Sequence, residues 1–358
     1  MNYFGIDIHS TYHKVVGITA DGDPLEFDIP NNLEGREQLQ EIVVEHSPCT
    51  IAMEACTGAY QLYDQLEFLA QRISLIHPGE FRTRFPKRGR KNDRIDARCL
   101  CEAARMDLKG IWVPDESIRQ RRELSGKRVS LTQRRTQSMN SFKASFREYH
   151  IPLVNNPWSK KGMKALRERI RELPETVALG ARLELDLIEH YDRAIEEIDQ
   201  RMASLACSDR DIRLLMSIAG INYYSGFVIM SEIGDISRFA SAKQLAAYAG
   251  LVPRLHQSGS SGPRNGSITK QGRSRLRWIA VECAGSASRH TPKLQRLYWR
   301  VKKRSGNANK AKVAVGRKLL TLCYHILKSG QPYSEVKNDK YQAKLKKVEG
   351  VGRKRKAA

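Results

Sequence analysis

Asp7 stands in an otherwise apolar run, Tyr3-Phe4-Gly5-Ile6-Asp7-Ile8-His9. A carboxylate in such a strand has to be paired, protonated or bound to a cation, because an unpaired charge is costly there. Glu54 closes a second short apolar run, Thr50-Ile51-Ala52-Met53, and Asp93 and Asp96 fall three apart in Lys91-Asn92-Asp93-Arg94-Ile95-Asp96-Ala97. On a helix that spacing turns both acids the same way. A structural Asp on a strand and an acidic first helical turn favoured by the helix dipole explain the same residues without chemistry. They do not explain the eight cations between Arg82 and Arg98 that surround Asp93 and Asp96. A second candidate is the Gly- and Ser-rich stretch His256-Gln257-Ser258-Gly259-Ser260-Ser261-Gly262-Pro263. Composition makes it a linker, or else a mobile loop that presents a serine hydroxyl beside cations able to hold phosphates.

The elements that must carry these residues follow from periodicity. Three strand-like runs, the second and third being Val15–Ile18 and Leu25–Ile29 around the turn Asp21-Gly22-Asp23, predict an antiparallel meander. A short amphipathic helix over Gly35–His46, a strand ending at Glu54, a helix from Thr57 to about Arg72 and a strand at Ile73–Ile76 complete a βββαβαβ order. That is the order of an RNase H-like fold, and it sets Asp7 and Glu54 at strand ends, where open α/β sheets hold their ligands. Beyond it, a basic helix over Leu124–Tyr149 precedes a helix with Ile188, Tyr191, Ile195, Ile198, Met202 and Leu205. Their 3-4 spacing is a coiled-coil seam that suits a hairpin, a dimer or an ordinary bundle. Leu214–Ile233 reads as helix, Gly-containing turn and helix, a unit able to offer backbone N–H groups to a DNA phosphate; simple packing is the alternative. The Lys- and Arg-rich end from Lys337 reads as a loosely ordered extension.

Charge narrows the partner. The chain has 358 residues and a net charge of +23, yet residues 1–80 hold only Lys14, Arg36 and Arg72 against thirteen acidic residues, so that segment is −10 and the remainder +33. Attraction of a polyanion to the remainder by counterion release makes nucleic acid the expected partner. No apolar run reaches the length of a membrane span, and the first residues enter a strand rather than a signal peptide, so a cytoplasmic, nucleoid-associated bacterial protein without membrane contact is expected. The seven cysteines show no CxxC pair and read as reduced thiols.

Taken in order, Gly5-Ile6-Asp7, Met53-Glu54, Lys91 to Ala97 and the stretch Gly250 to Gly272, with its Gly-Leu-Val-Pro, Gln-Ser-Gly and Ile-Thr-Lys-Gln-Gly, resemble the DEDD transposases of the insertion sequence 110 family, the bridge-RNA-guided serine recombinases. The resemblance covers essentially the whole chain. It implies an α/β RNase H-like (RuvC-like) domain over 1–112, an α-helical coiled-coil and dimerisation region over 113–206, a mainly α-helical C-terminal transposase domain over 207–330 and a basic tail over 331–358. It further implies that Asp7, Glu54, Asp93 and Asp96 bind Mg2+ and that Ser258 is the nucleophile, forming a phosphoserine link to DNA. The Gly-Ser-Ser-Gly-Pro spacing departs slightly from the family form, which leaves Ser260 as the fallback. Arg84, Lys87, Arg88, Arg90, Lys91 and Arg94 would hold DNA near the carboxylates, and Arg254, Arg264, Lys270, Arg273 and Arg277 near the serine.

The partners implied are donor and target DNA, a noncoding guide RNA and further copies of the chain, as a dimer or a tetrameric synapse. Two other readings use the same residues. One is a junction-resolving nuclease in which water attacks and Ser258 is a bystander; the other is a non-catalytic nucleic-acid-binding scaffold with structural carboxylates.

Overall fold

In the computed structural model, which describes residues 1–86, 92–256, 264–335 and 338–354, the chain divides into two units, Met1–Pro114 and Asp115–Ala358. The first is built on a sheet of order β3-β2-β1-β4-β5. Its strands are β1 (Asn2–Ile8), β2 (Tyr12–Ile18), β3 (Pro24–Pro30), β4 (Cys49–Glu54) and β5 (Arg72–Ile76). β2 runs antiparallel to β1 and β3, while β4 is parallel to β1 and β5.

Alternation along β1 sorts its residues between two layers. Phe4 and Ile6 are buried with Ile51, Met53, Leu39 and Leu66 beneath α1 (Leu33–Glu45) and α2 (Ala59–Leu66). Tyr3, Gly5 and Asp7 take the opposite face, which is covered by α4 (Asp93–Arg105) after the short α3 (Pro78–Arg84). Glycine at position 5 is what admits α4: a Cβ there would stand 2.1 Å from the Ala97 carbonyl oxygen and 2.2 Å from the Cys101 nitrogen. Leu100, Ala103 and Ala104 of α4 are buried against Ala52 and Ile76. Each large apolar side chain hidden in this way contributes about 1.5–3 kcal/mol. The expected helix through Arg72 is shorter, because β5 claims Arg72 to pair with Thr50 and the chain must turn back after Leu66.

The second unit is mostly helical. Its helices are α5 (Glu116–Glu148), α6 (Lys160–Arg169), α7 (Glu175–Ser208), α8 (Arg210–Leu215), α9 (Tyr223–Ile233) and α10 (Ala242–Tyr248). The strands β6 (Pro253–His256) and β7 (Arg264–Ile268) follow, then α11 (Ser274–His290), α12 (Pro292–Ser305), α13 (Ala308–Ser329) and α14 (Asn338–Lys354). α5 and α7 pair antiparallel within the chain, since Arg121, Arg128 and Arg135 meet Asp209, Asp199 and Asp192 in reverse order. Arg128 grips both oxygens of Asp199 at 2.6 and 3.0 Å. Of the predicted seam, Ile188 and Met202 are fully buried inside this one chain. A mixed-sheet α/β unit followed by a mostly helical one is the class expected.

One expectation is corrected here, and one alternative gains support. Residues 338–354 of the expected loose extension form α14, which buries Leu345 and Val348 in the core of this unit. The high Lys count hides that apolar stripe. Gly220, in the turn between α8 and α9, has φ +90° and lies where a Cβ would stand 2.6 Å from the Ala287 nitrogen of α11. Close packing therefore accounts for this glycine. The ammonium of Lys344 on α14 donates to the carbonyls of Met216, Ile218 and Ile221 at 2.7, 2.9 and 2.7 Å, which ties α14 to the turn.

Candidate active site

α4 starts over the open end of the sheet, and both ends of its first turn are tied down. Asn92 caps it by accepting from the Arg94 nitrogen, and Asp93 and Asp96 occupy the first turn, where the helix dipole favours negative charge. Tyr12 of β2 donates its hydroxyl proton to Asp93 Oδ2 at 2.9 Å. Arg94 reaches Glu26 of β3 at 2.7 Å, and Lys14 pairs with Glu26 and Asp28 at 2.7 and 2.9 Å. The hydrogen bond from Lys14 first, and then the cation of Arg94, hold the Glu26 carboxyl below its ordinary range.

Anchored this way, α4 sets Asp93 beside Asp7. One ligand atom each from Asp7, His9 and Asp93 lies within 4.8 Å of the other two. His9 Nε2 is 3.1 Å from Asp7 Oδ2 and 3.4 Å from Asp93 Oδ2. Two carboxylate oxygens and an imidazole nitrogen converging at these distances suit a divalent cation. Glu54 sits at the C-terminal end of β4, one residue beyond the Ile6–Met53 pair, and Asp96 lies further along the first turn of α4. Neither joins the three-residue cluster, but Glu54 and Asp7 share a neighbourhood: after partial desolvation, their charges push the Cys56 thiol up. Of the four expected carboxylates, then, Asp7 and Asp93 are brought to chelating distance. His9 and Tyr12 were not singled out in the sequence. His9 had a signal, since two residues beyond Asp7 on an extended chain is the same face; Tyr12 had none.

The remaining candidates divide. Ser258, its fallback Ser260, and Lys87, Arg88, Arg90 and Lys91 lie outside the described residues. Arg84 is exposed at the end of α3 and Arg254 is exposed on β6, with Arg264 on the paired strand β7. Arg94 is largely exposed beside Glu26, whereas Arg273 and Arg277, also expected to contact phosphates, are engaged by groups of the fold. Arg273 meets the fully buried Glu232 at 2.6 Å, and Arg277 donates to the carbonyls of Ala249 and Lys270 at 3.0 and 3.1 Å. These bonds brace the base of the β6–β7 hairpin, where Gly250 and Gly272 both have positive φ. A buried carboxylate needs a cation more than a solvated phosphate does.

Among the described residues no helix is long and apolar enough to cross a membrane. A family model described as Transposase, of the DEDD type of IS110, matches residues 4–151, and one described as Transposase IS116/IS110/IS902 family matches residues 212–299. The chain is 29% identical over 253 residues to the transposase for insertion sequence element IS1328 of Yersinia enterocolitica, covering 70% of this chain and 74% of that protein. It is 28% identical over 300 residues to the transposase for insertion sequence element IS1111A of Coxiella burnetii, covering 80% and 78%. It is also 26% identical over 348 residues to the pilin gene-inverting protein of Moraxella lacunata, covering 93% and 98%.

Proposed function

Because the chain belongs to the IS110 family of transposases, we propose that this insertion-sequence recombinase cuts DNA at an RNase H-like carboxylate site that takes Mg2+, with Ser258 as the nucleophile and a noncoding RNA as the guide. The observation that carries the reading is the convergence of Asp7 and Asp93, 86 positions apart, at one end of the sheet. Asp7, Asp93, Glu54 and Asp96 would hold the ion, whose chemistry is to neutralise the scissile phosphate and the departing oxygen. Tyr12 fixes the rotamer of Asp93, and Arg94 together with Glu26 fixes the helix that carries it.

In the covalent step a bond forms from Ser258 Oγ to phosphorus as one phosphorus–oxygen bond of the strand breaks. The hydroxyl proton leaves the serine, and the departing strand oxygen gains a proton. No water is consumed, so the phosphodiester is conserved and the reverse step reseals the DNA. RNA guidance is supported by a strongly basic chain without an evident base-reading motif, as expected where pairing reads the sequence. Assembly of several copies is supported by Leu179, Leu183 and Leu187, which line one face of α7 and are 48%, 56% and 43% exposed.

The test is a denaturing gel of end-labelled DNA incubated with Mg2+, the protein and RNA transcribed from its own element. Wild type is expected to give a protein-linked band that disappears in Ser258→Ala, and Asp7→Asn should give neither band nor cleavage. Cleavage without an adduct in wild type would move the reading to a water-using nuclease.

A further inference from the structure

We infer that His9 is a metal ligand in its own right, and that its imidazole gives the carboxylate site a preference for Mn2+ over Mg2+. The inference rests on the proposed metal site and adds to it a nitrogen donor outside the four carboxylates.

The geometry is that of donors sharing an ion. Two donors cis to one another on an octahedral cation with bonds of about 2.1 Å stand about 3.0 Å apart. His9 Nε2 is 3.1 Å from Asp7 Oδ2 and 3.4 Å from Asp93 Oδ2. It is also buried, yet it makes no hydrogen bond of acceptable alignment. A histidine recruited only to pair with a carboxylate would turn its N–H along one oxygen. This nitrogen instead stands near both oxygens and is aligned with neither.

The ring is also held in place before any ion arrives. The His9 N–H donates to the Tyr12 carbonyl at 3.0 Å, and the His9 carbonyl accepts from Asn31 Nδ2 at 3.0 Å, so both peptide groups at the β1–β2 turn are fixed. The imidazole packs beside the Tyr12 ring with centroids 5.1 Å apart, and the hydroxyl of that same tyrosine bonds Asp93. Tyr12 thereby locates two of the three donors. Metal preference follows from donor type: Mg2+ favours oxygen ligands, whereas a nitrogen donor favours first-row transition ions, of which Mn2+ is the member closest to Mg2+ in its use of carboxylates.

The experiment uses the full-length protein loaded with Mn2+ alone, read by pulsed electron paramagnetic resonance and by calorimetric titration. In wild type, modulation from a directly bound 14N nucleus is expected, and it should vanish in His9→Ala. His9→Asp, which replaces nitrogen by oxygen, should keep Mg2+ binding while lowering the Mn2+ over Mg2+ preference. Mn2+ that binds wild type, is lost in Asp7→Asn and shows no 14N modulation overturns the role of His9 and leaves the carboxylate site standing. No binding of either ion to wild type, or binding unchanged in Asp7→Asn, overturns the metal site itself and this inference with it. The wild-type spectrum decides the first point without any variant.

Discussion

Tyr12 on β2 and Asp93 on α4 are joined by a 2.9 Å hydrogen bond across 81 positions of sequence. The bond uses one oxygen of the carboxylate that His9 also faces, so it sets which way Asp93 points as well as where α4 begins. The same bond raises the Tyr12 phenol above its ordinary value, because losing the phenolic proton would place two negative groups in contact.

Removing that hydroxyl leaves the fold and disturbs the carboxylate. Tyr12→Phe is expected to weaken divalent-ion binding by about ten-fold, the loss typical of removing a partner that orients a metal ligand. Calorimetric titration of both proteins with Mg2+ or Mn2+ checks it, and an unchanged affinity would show that Asp93 needs no help from β2.

Gly5 is the point where the sheet admits α4. In Gly5→Ala the added carbon meets the α4 backbone at Ala97 and Cys101, and backbone cannot rotate away as a side chain can. The variant should lose about 1–3 kcal/mol in urea unfolding, and DNA cleavage should fall with it because Asp93 and Asp96 ride on the displaced helix. Full activity with lowered stability would mean that α4 shifts without moving its first turn.

Glu232 is fully buried and is held by Arg273 at 2.6 Å, while Arg122 donates to the Ser231 and Glu232 carbonyls at 2.8 and 3.0 Å. Glu232→Ala removes the carboxylate from a fully buried site while Arg273, 36% exposed, can turn to water, so the loss of the ion pair and of packing should be about 1–3 kcal/mol. Chemical denaturation followed by circular dichroism measures it. If Arg273 served chiefly to hold DNA, the variant would instead keep its stability and bind DNA more tightly.

Burial holds the Lys344 ammonium down to about 8, well below the ordinary lysine value of about 10.4. Between those two values the unfolded chain binds the proton and the folded chain does not, so stability from this residue rises with pH across that window. Urea unfolding at pH 7.5 and pH 9.5 should show that rise in wild type and not in Lys344→Met. A variant with the same pH slope as wild type would assign the slope to other groups.

The exposed leucines of α7 give a test of assembly. Leu183→Asp combined with Leu187→Asp is expected to lower the mass measured by light scattering at a given concentration, with circular dichroism unchanged. A monomeric wild type would remove the strip from consideration.

Local chemistry and strict periodicity were readable without a structure. An apolar strand holding Asp7, a strand delivering Glu54 and an acidic first turn with Asp93 and Asp96 follow from runs of apolar residues and from the preference of acids for a helix start, both of which act over a few residues. The order of strands in the first unit follows from the same signals. Long-range pairing was not readable. Nothing near Arg273 or Arg277 in the chain tells whether a cation faces solvent or a buried carbonyl, and charge counting assigns all of them to nucleic acid. Likewise α14 looked like a tail because its lysines outnumber Leu345 and Val348, although two buried side chains and one capped ammonium suffice to dock it. His9 shows the division most plainly. Its place on the Asp7 face is a property of an extended chain, but its nearness to Asp93 exists only because Gly5 lets a helix from 88 positions later settle onto the sheet.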